Sequence, residues 1–210
     1  MFGGLSVITL YQVTLLGTTA LALLVAGVAW RNRPNAGARC RARSAVGVAV
    51  WTAPSLLQSL TVSLVADELL SRVAYVGITL TMPSWFLLAA EYTGHDRLRT
   101  RRVRLALWGT SAAMLVVVLS GFVVDHGLIY TRLFENPGTL TGLGVDHGAV
   151  FYLWTVFGYG LSLGALAMFL GLFYRSADLY RRQAAVVILS AFAPFVGNVL
   201  YVTETIAVDG

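Results

Sequence analysis

Residues 82–97 read Met-Pro-Ser-Trp-Phe-Leu-Leu-Ala-Ala-Glu-Tyr-Thr-Gly-His-Asp-Arg, and this stretch decides the fold. It begins as the second half of an apolar helix that contains Pro83. It ends in a Glu-Tyr-Thr-Gly motif at residues 91–94, after which arginines accumulate. An apolar helix that ends in tyrosine, glycine and positive charge is typical of a membrane span leaving the bilayer on the cytoplasmic side. The orientation of this span predicts how the rest of the chain crosses the membrane.

The composition is that of a polytopic membrane protein rather than of a soluble domain. Of the 210 residues, 57% are hydrophobic and only 12% are charged, and the mean hydropathy is +0.74. The formal net charge of +5 does not indicate nucleic-acid binding, because the arginines lie in short segments between apolar runs. We therefore predict the lipid bilayer as a partner and no binding of nucleic acid.

Six apolar runs predict an all-α fold, a bundle of six transmembrane helices. Asp67 and Glu68 predict a tight outer turn between the second and third spans, and residues 125–147 form the longest polar connection. Within the fifth span, Gly160 and Gly164 form a small-xxx-small pair that predicts close helix approach. The six predicted spans cover residues 5–30, 44–66, 69–93, 103–124, 148–174 and 184–201.

The arginines predict the orientation of the bundle. Thirteen of the 15 lie in the odd-numbered connections: five after the first span, five after the third and three after the fifth. Short connections rich in arginine remain in the cytoplasm. The amino terminus and Gly210 are therefore predicted to lie outside, in a multi-pass protein of the plasma membrane.

Prolines interrupt three of the predicted spans, at Pro54, Pro83 and Pro194. Each proline removes one helix hydrogen bond, so each position is either a hinge or a packing kink. Gln58 and Asn198 each lie four residues after such a proline, in the outer half of the predicted bilayer. A buried amide needs hydrogen-bond partners, which a ligand or a neighbouring helix can supply.

A polar pocket open to the outside is one interpretation of these residues, and adhesion between helices is the other. In the first interpretation, the ligand contacts are Gln58, Asn198, Thr79 and Tyr159. Glu91 is the one acid in the body of a predicted span, and it is predicted to pair with an arginine such as Arg97.

No arrangement of residues predicts catalysis, a metal site or a cofactor. The chain has no lysine, so it cannot form a Schiff base with retinal. Cys40 is the single cysteine, which excludes an internal disulfide and a cysteine metal cluster. The pairs Asp125-His126 and Asp146-His147 could hold a metal if the ends of the outer connection meet, but we predict none because interfacial histidines are commoner.

Four short segments form a pattern along the chain. They are Pro83 with Trp85, Phe86 and Glu91-Tyr92-Thr93-Gly94; Asp125 to Tyr130; Tyr180-Arg181-Arg182-Gln183; and Pro194 with Asn198, Leu200 and Tyr201. In order and spacing they resemble the amino-terminal seven-helix membrane region of prokaryotic sensor histidine kinases, over about residues 5–209.

The resemblance implies a signal-sensing module of a two-component system, with no catalytic residue in this chain. It also implies a cytoplasmic kinase and a response regulator as partners, and a homodimer held by downstream domains. The family has a seventh helix that returns to the cytoplasm, so we expect a single sensor domain over residues 1–210 that stops before that helix. A small multi-span transporter or carrier is the alternative, although carriers usually contain repeated halves and none is visible here.

Overall fold

The computed structural model describes residues 7–175 apart from 34, 36, 62, 125 and 137–142. Five helices, one short 3-10 turn and a two-stranded hairpin follow one another along this part of the chain. In chain order they are α1 (Val7–Arg31), α2 (Ala38–Gln58), α3 (Leu64–Tyr92), the 3-10 turn (Asp96–Arg99), α4 (Arg101–Ser120), β1 (Tyr130–Glu135), β2 (Leu143–His147) and α5 (Ala149–Arg175). The predicted sixth span, residues 184–201, lies outside the described residues.

Four of the described helices, α1, α3, α4 and α5, are long and apolar enough to cross a membrane. They contain between 20 and 29 residues, and about 20 apolar residues suffice to cross a bilayer. A mostly helical protein with four candidate membrane spans among the described residues is thereby confirmed, and the number of six spans stays a prediction. α2 is not in this group because its first turns carry Arg39, Arg41 and Arg43, so that only residues 44–58 are continuously free of charge.

The outer turn between α2 and α3 lies earlier than predicted. α2 ends at Gln58, eight residues before the predicted end of the second span, and α3 begins at Leu64. Asp67 and Glu68 therefore lie inside α3, and the prediction that they form the turn is wrong. The cap decides this, because the Ser63 side chain accepts a hydrogen bond from the backbone N–H three residues later. Asp67 then lies in the first helical turn, where the helix dipole favours a negative charge.

α3 is the central helix of the described bundle. It packs against α2, α4, α5 and β1, whereas α1 packs on α2. Two buried clusters form along α3, one near each end, and both ends are named inner and outer after the predicted orientation. The inner cluster consists of Ala89, Ala90, Ala165, Met168 and Phe169, with Trp85, Phe86 and Leu98 packed against it. The outer cluster consists of Tyr75, Val118, Ile129 and Trp154.

The backbones of α2 and α3 meet at two glycines. A Cβ atom added to Gly77 would overlap the backbone nitrogen of Trp51 and lie 2.5 Å from the Gly47 carbonyl oxygen. A Cβ atom added to Gly47 would lie 2.7 Å from the Gly77 carbonyl oxygen. In an apolar solvent, helices associate through such close backbone packing, since there is little hydrophobic force between them.

A β-hairpin is the departure from the predicted all-α fold. It lies in the connection between α4 and α5, where β1 and β2 pair antiparallel from Tyr130 opposite His147 to Glu135 opposite Leu143. The hairpin is anchored to the bundle, because Ile129 is only 1% exposed and its carbonyl accepts a hydrogen bond from the Gly148 N–H at 2.8 Å. Strands of five and six residues produce little periodic signal, which is why the sequence predicted only a polar connection.

Candidate functional site

Gln58 lies at the outer end of α2, where the chain turns into α3. The residue is 6% exposed, and its amide nitrogen donates to the Asp67 carbonyl oxygen and to the Ser71 hydroxyl, each at 3.1 Å. The Asp67 carboxylate in turn accepts from the Thr61 hydroxyl at 2.7 Å. Gln58 therefore joins α2 to α3, as the helix-adhesion interpretation predicts. Its role as a ligand contact stays a prediction.

Arg72 is the most highly connected side chain near this outer end, and no sequence pattern singled it out. The residue is 6% exposed, and its guanidinium donates to the carbonyl oxygens of Val118 and Gly121 at the C-terminal end of α4. Glu68, four residues earlier on the same helix, accepts from Arg72 Nε at 3.1 Å and forms an ion pair with it. The last carbonyls of a helix lack intrahelical partners and form the negative end of its dipole, so a buried cation is favourable there.

A glycine and two aromatic rings shape the space around Arg72. Its guanidinium carbon lies 4.7 Å from the ring centroid of Phe122 and 5.7 Å from that of Tyr130, which is within the range of cation–π attraction. A Cβ atom added to Gly121 would lie 2.9 Å from the same guanidinium carbon. An alanine at position 121 would therefore force the end of the Arg72 side chain to move.

Arg72 could have been found from its position relative to Glu68. A charged residue inside an apolar helix needs a partner, and an acid four residues away on a helix supplies one. Its other acceptors belong to residues 46 and 49 positions away in sequence, and nothing in the sequence indicates that α4 ends beside Arg72. The fourth predicted span extended to residue 124, whereas α4 ends at Ser120 and leaves these carbonyls available.

The outer network connects four parts of the fold: the α2–α3 turn, α3, the end of α4 and the hairpin. The Glu68 side chain is 37% exposed, so it is the charged group of this network that water reaches most readily. A group that competes with Arg72 for Glu68 or for the α4 carbonyls must displace the Arg72 guanidinium. The network is therefore suited to holding α3 and α4 together or releasing them.

The two other predicted ligand contacts in the described residues lie elsewhere. Thr79 is 6% exposed and donates to the Tyr75 carbonyl oxygen at 2.8 Å, one turn earlier on α3. It lies eight residues beyond Ser71 and thus about 12 Å further along the helix. Tyr159 is half-buried on α5. The structure does not bring Thr79 into the hydrogen-bond network of Gln58.

The prolines and aromatic residues predicted as hinges or signature positions lie in the helix interiors or beside the inner cluster. Pro54 and Pro83 are buried within continuous helices, α2 and α3 respectively. Trp85 and Tyr92 both pack on Phe169 of α5, with ring centroids 5.4 and 6.1 Å apart. Two further predicted residues lie outside the described part of the chain, Pro194 and Asn198.

α3 ends in a Schellman motif that needs Gly94. The Gly94 backbone has a φ of +75°, which glycine adopts without strain. The N–H of His95 donates to the carbonyl of Ala90 at 2.8 Å, and the N–H of Gly94 donates to the carbonyl of Glu91 at 3.4 Å. This turn directs the chain back across the inner end of the bundle toward the 3-10 turn.

Glu91 holds three segments together at this inner end. Its side chain is 18% exposed, and its Oε1 atom accepts from the Gly37 N–H at 2.7 Å, at the start of α2. The same oxygen lies 3.3 Å from a guanidinium nitrogen of Arg99. The predicted ion pair is thus present, but with Arg99 instead of Arg97, because the 3-10 turn carries Arg99 back toward α3. Arg97 is exposed.

The Cys40 thiol lies beside this junction, 3.9 Å from the Glu91 Oε2 atom. Cys40 is in the arginine-rich first turn of α2, on the cytoplasmic side of the predicted span. Burial raises the pKa of the thiol, the Glu91 carboxylate raises it further, and nearby arginines oppose the rise. The thiol is therefore held in its less reactive protonated form.

We expect Glu91→Gln to accelerate alkylation of Cys40. Removing a negative charge beside a thiol lowers the pKa of that thiol and increases its thiolate fraction, by about threefold for a shift of half a unit. The measurement is the rate of iodoacetamide labelling at pH 7.5, which is unambiguous because the chain has one cysteine. Asp96→Asn is the matched control, because Asp96 also binds Arg99 but is not among the charged groups that shift the pKa of the thiol. Equal labelling rates in the two variants would contradict the assignment of Glu91 as a group that raises the pKa of the Cys40 thiol.

The histidines of the outer connection serve separate contacts. His126 Nε2 lies 3.2 Å from the Val117 carbonyl oxygen, and its Nδ1 accepts from the Leu128 N–H at 3.2 Å. His147 stacks on Phe151, with ring centroids 3.6 Å apart. Within the described part of the chain, no three His, Cys, Asp or Glu side chains are grouped to hold a metal ion.

Comparison with known proteins identifies one family. The model of the N-terminal 7TM region of histidine kinase matches residues 14–209, which is nearly the whole chain. The match includes the outer network, the Glu91 junction and the segments after Arg175. No curated protein and no solved structure matches the chain.

Proposed function

Because the chain belongs to the family of N-terminal 7TM regions of histidine kinases, we propose that it is the signal-sensing module of a two-component sensor kinase. The module receives an external or intramembrane stimulus and transmits it to a cytoplasmic kinase domain. The apolar helices and the family support a membrane location, and we place the protein in the plasma membrane as a multi-pass protein.

The observation that carries this proposal is a polar network at each end of one helix. Arg72 binds the end of α4 near the outer end of α3, and Glu91 binds the α1–α2 connection and Arg99 at its inner end. The two residues are 19 positions apart, which corresponds to about 28 Å along a helix and about the thickness of a bilayer core. A change in the outer network can therefore reach the cytoplasmic junction through a single helix.

A stimulus acts on this helix only if it favours one arrangement of the outer network over another. The proposed hinges allow α2, α3 and the predicted sixth helix to change direction, and they are Pro54, Pro83 and Pro194. The proposed ligand contacts are Gln58, Asn198, Thr79 and Tyr159. The downstream partners are a cytoplasmic kinase, a response regulator and a second copy of the protein, held as a homodimer through downstream domains.

We expect membranes that contain the natural gene product, with the reading frame that follows residue 210, to phosphorylate themselves on histidine when ATP is added. Arg72→Met should change the rate of autophosphorylation at least about fivefold in one direction, since typical coupling free energies exceed 1 kcal/mol. The measurement is acid-labile phosphate incorporation in inverted membrane vesicles. Arg132→Met is the matched control, because Arg132 is also an outer arginine but is exposed on the hairpin.

Two results would contradict the sensor proposal. One is a following reading frame that encodes no kinase or other signalling domain. The other is solute uptake into liposomes by residues 1–210 alone, which would favour the small transporter. Equal autophosphorylation in the Arg72 and Arg132 variants would leave the family unaffected but would remove the outer network from the signalling route.

A further inference from the structure

A cavity of about 320 Å³ lies between the inner ends of α3 and α5 and takes no part in the proposed signalling networks. One wall is apolar and comes from the last turns of α5, at Met168, Gly171 and Leu172. The rim is polar and includes Thr93 and His95, which follow the end of α3, and Arg175 at the end of α5. The cavity therefore has an apolar wall on a candidate membrane span and a cation at the end of that span.

The polar rim is held in place by the end of α3. The Thr93 hydroxyl lies 2.7 Å from the Ala89 carbonyl oxygen and donates its proton there. It must therefore accept a hydrogen bond from His95, whose Nδ1 atom also lies 2.7 Å away. This fixes the ring of His95 at the rim, while Arg175 at the end of α5 is exposed.

The surface around the rim has a large excess of positive charge. The described residues of the predicted cytoplasmic side include eleven arginines and two acids, Glu91 and Asp96, a difference of nine positive charges. Both acids bind the same arginine, Arg99, at 3.3 and 3.0 Å. The other arginines of this side are Arg31, Arg33, Arg39, Arg41, Arg43, Arg97, Arg101, Arg102, Arg104 and Arg175.

We propose that the cavity binds an anionic phospholipid of the cytoplasmic leaflet. The phosphate lies at the rim beside Arg175 and His95, and an acyl chain lies along Met168 and Leu172. A guanidinium forms paired charge-assisted hydrogen bonds with phosphate oxygens, and basic residues at the cytoplasmic interface attract anionic lipids. The apolar wall selects a lipid over free phosphate, because only a lipid has a hydrocarbon part to place against it.

The test measures lipid binding to the purified chain of residues 1–210, transferred from neutral detergent into nanodiscs of phosphatidylcholine with increasing phosphatidylglycerol. Binding is followed by native mass spectrometry as the fraction of chains that retain one phosphatidylglycerol. We expect Arg175→Gln to weaken retention about tenfold, as the loss of a hydrogen bond to a charged group predicts. Arg102→Gln is the matched control, since Arg102 is exposed on the same side and does not line the cavity.

A second variant tests the apolar wall independently of charge. A Cβ atom added to Gly171 meets no atom of the described residues within 4 Å, so the Gly171→Leu side chain extends into the space beside the apolar wall and blocks it. We expect it to weaken phosphatidylglycerol retention without lowering the unfolding temperature. Glycerol phosphate, which has the headgroup charge without acyl chains, should bind at least about tenfold more weakly than the lipid.

Four results would overturn the proposal. Equal retention of phosphatidylcholine and phosphatidylglycerol would exclude charge recognition. Equal losses in the Arg175 and Arg102 variants would indicate diffuse attraction to the whole basic surface. Tight binding of glycerol phosphate would indicate a site for a free phosphate compound. A lower unfolding temperature for Gly171→Leu, with unchanged lipid retention, would indicate that residues after Arg175 already occupy the cavity.

Discussion

Gly77→Ala is expected to destabilise the bundle by about 3 kcal/mol or more, because overpacking against a rigid neighbour is costly. The added methyl group would overlap the Trp51 backbone nitrogen and lie 2.5 Å from the Gly47 carbonyl oxygen. Both neighbours are backbone atoms of α2, so neither can turn away as a side chain could. The measurement is unfolding in mixed detergent micelles, followed by helical circular dichroism.

Gly109→Ala in α4 is the matched control for this substitution. A Cβ atom at Gly109 would meet no atom of another described residue within 4 Å, and alanine is a better helix former than glycine by about 1 kcal/mol. The same chemical change should therefore lower stability at position 77 and leave it unchanged or raise it at position 109. Equal effects at the two positions would mean that α2 and α3 do not meet backbone to backbone.

Arg72→Met is expected to cost about 3 kcal/mol of unfolding free energy, because it leaves buried polar groups without partners. Methionine retains most of the apolar stem but donates no hydrogen bond. The carbonyl oxygens of Val118 and Gly121 then lose a buried donor, and Glu68 loses its ion pair. The measurement is the same unfolding curve, together with the rate of disulfide formation between cysteines placed on α3 and α4 in a Cys40→Ala background.

Two further variants separate the carbonyl contacts from the ion pair. Glu68→Gln should cost only about 1 kcal/mol or less, since its side chain is 37% exposed and exposed ion pairs contribute little. Gly121→Ala should resemble Arg72→Met, because the added methyl group would displace the guanidinium from the end of α4. If Glu68→Gln lowered the unfolding free energy as much as Arg72→Met does, the contribution of Arg72 to stability would come from the ion pair and not from its contacts with the end of α4.

The sequence predicted the apolar helices well and the boundaries near charged residues poorly. The predicted first, third, fourth and fifth spans correspond to α1, α3, α4 and α5, each displaced by a few residues. The second predicted span differs most from the helix that corresponds to it, α2. Two acids after an apolar run are compatible with a connecting turn and also with the first turn of a new helix. The cap at Ser63 resolves the choice, and it is visible only once the turn itself is known.

The sequence showed which small residues would permit close helix packing, but it did not show which of them lie at a helix contact. Gly160 and Gly164 formed the predicted close-packing pair; among the described residues, a Cβ atom at Gly160 meets nothing within 4 Å and one at Gly164 meets the Phe86 side chain. Between the described helices, the backbones are crowded at Gly47 and Gly77, which are 30 positions apart in sequence. A motif identifies a helix face that permits close approach, but the partner helix decides whether it is used.

For the candidate site too, the sequence predicted which residues need a partner but not which atoms are their partners. Glu91 was expected to pair with an arginine of the basic connections, and it does, but the 3-10 turn presents Arg99 rather than Arg97. Gln58 was expected to be buried and to need partners, and the start of α3 supplies them. The requirement for a partner follows from the residue type and its apolar surroundings. Which atom meets that requirement follows from where two distant segments come together.

The amino-acid sequence by itself determined the membrane class, the apolar helices and the family of this protein, and it predicts their orientation. These properties depend on local composition and on the distribution of arginine, because each segment enters the bilayer or stays outside it according to its own residues. Only the tertiary structure decided that Arg72 caps α4, that Gly47 meets Gly77 and that a hairpin covers the outer end. Each of these depends on contacts between residues far apart in sequence, and in a bilayer such contacts are selected by packing and hydrogen bonding rather than by hydrophobicity.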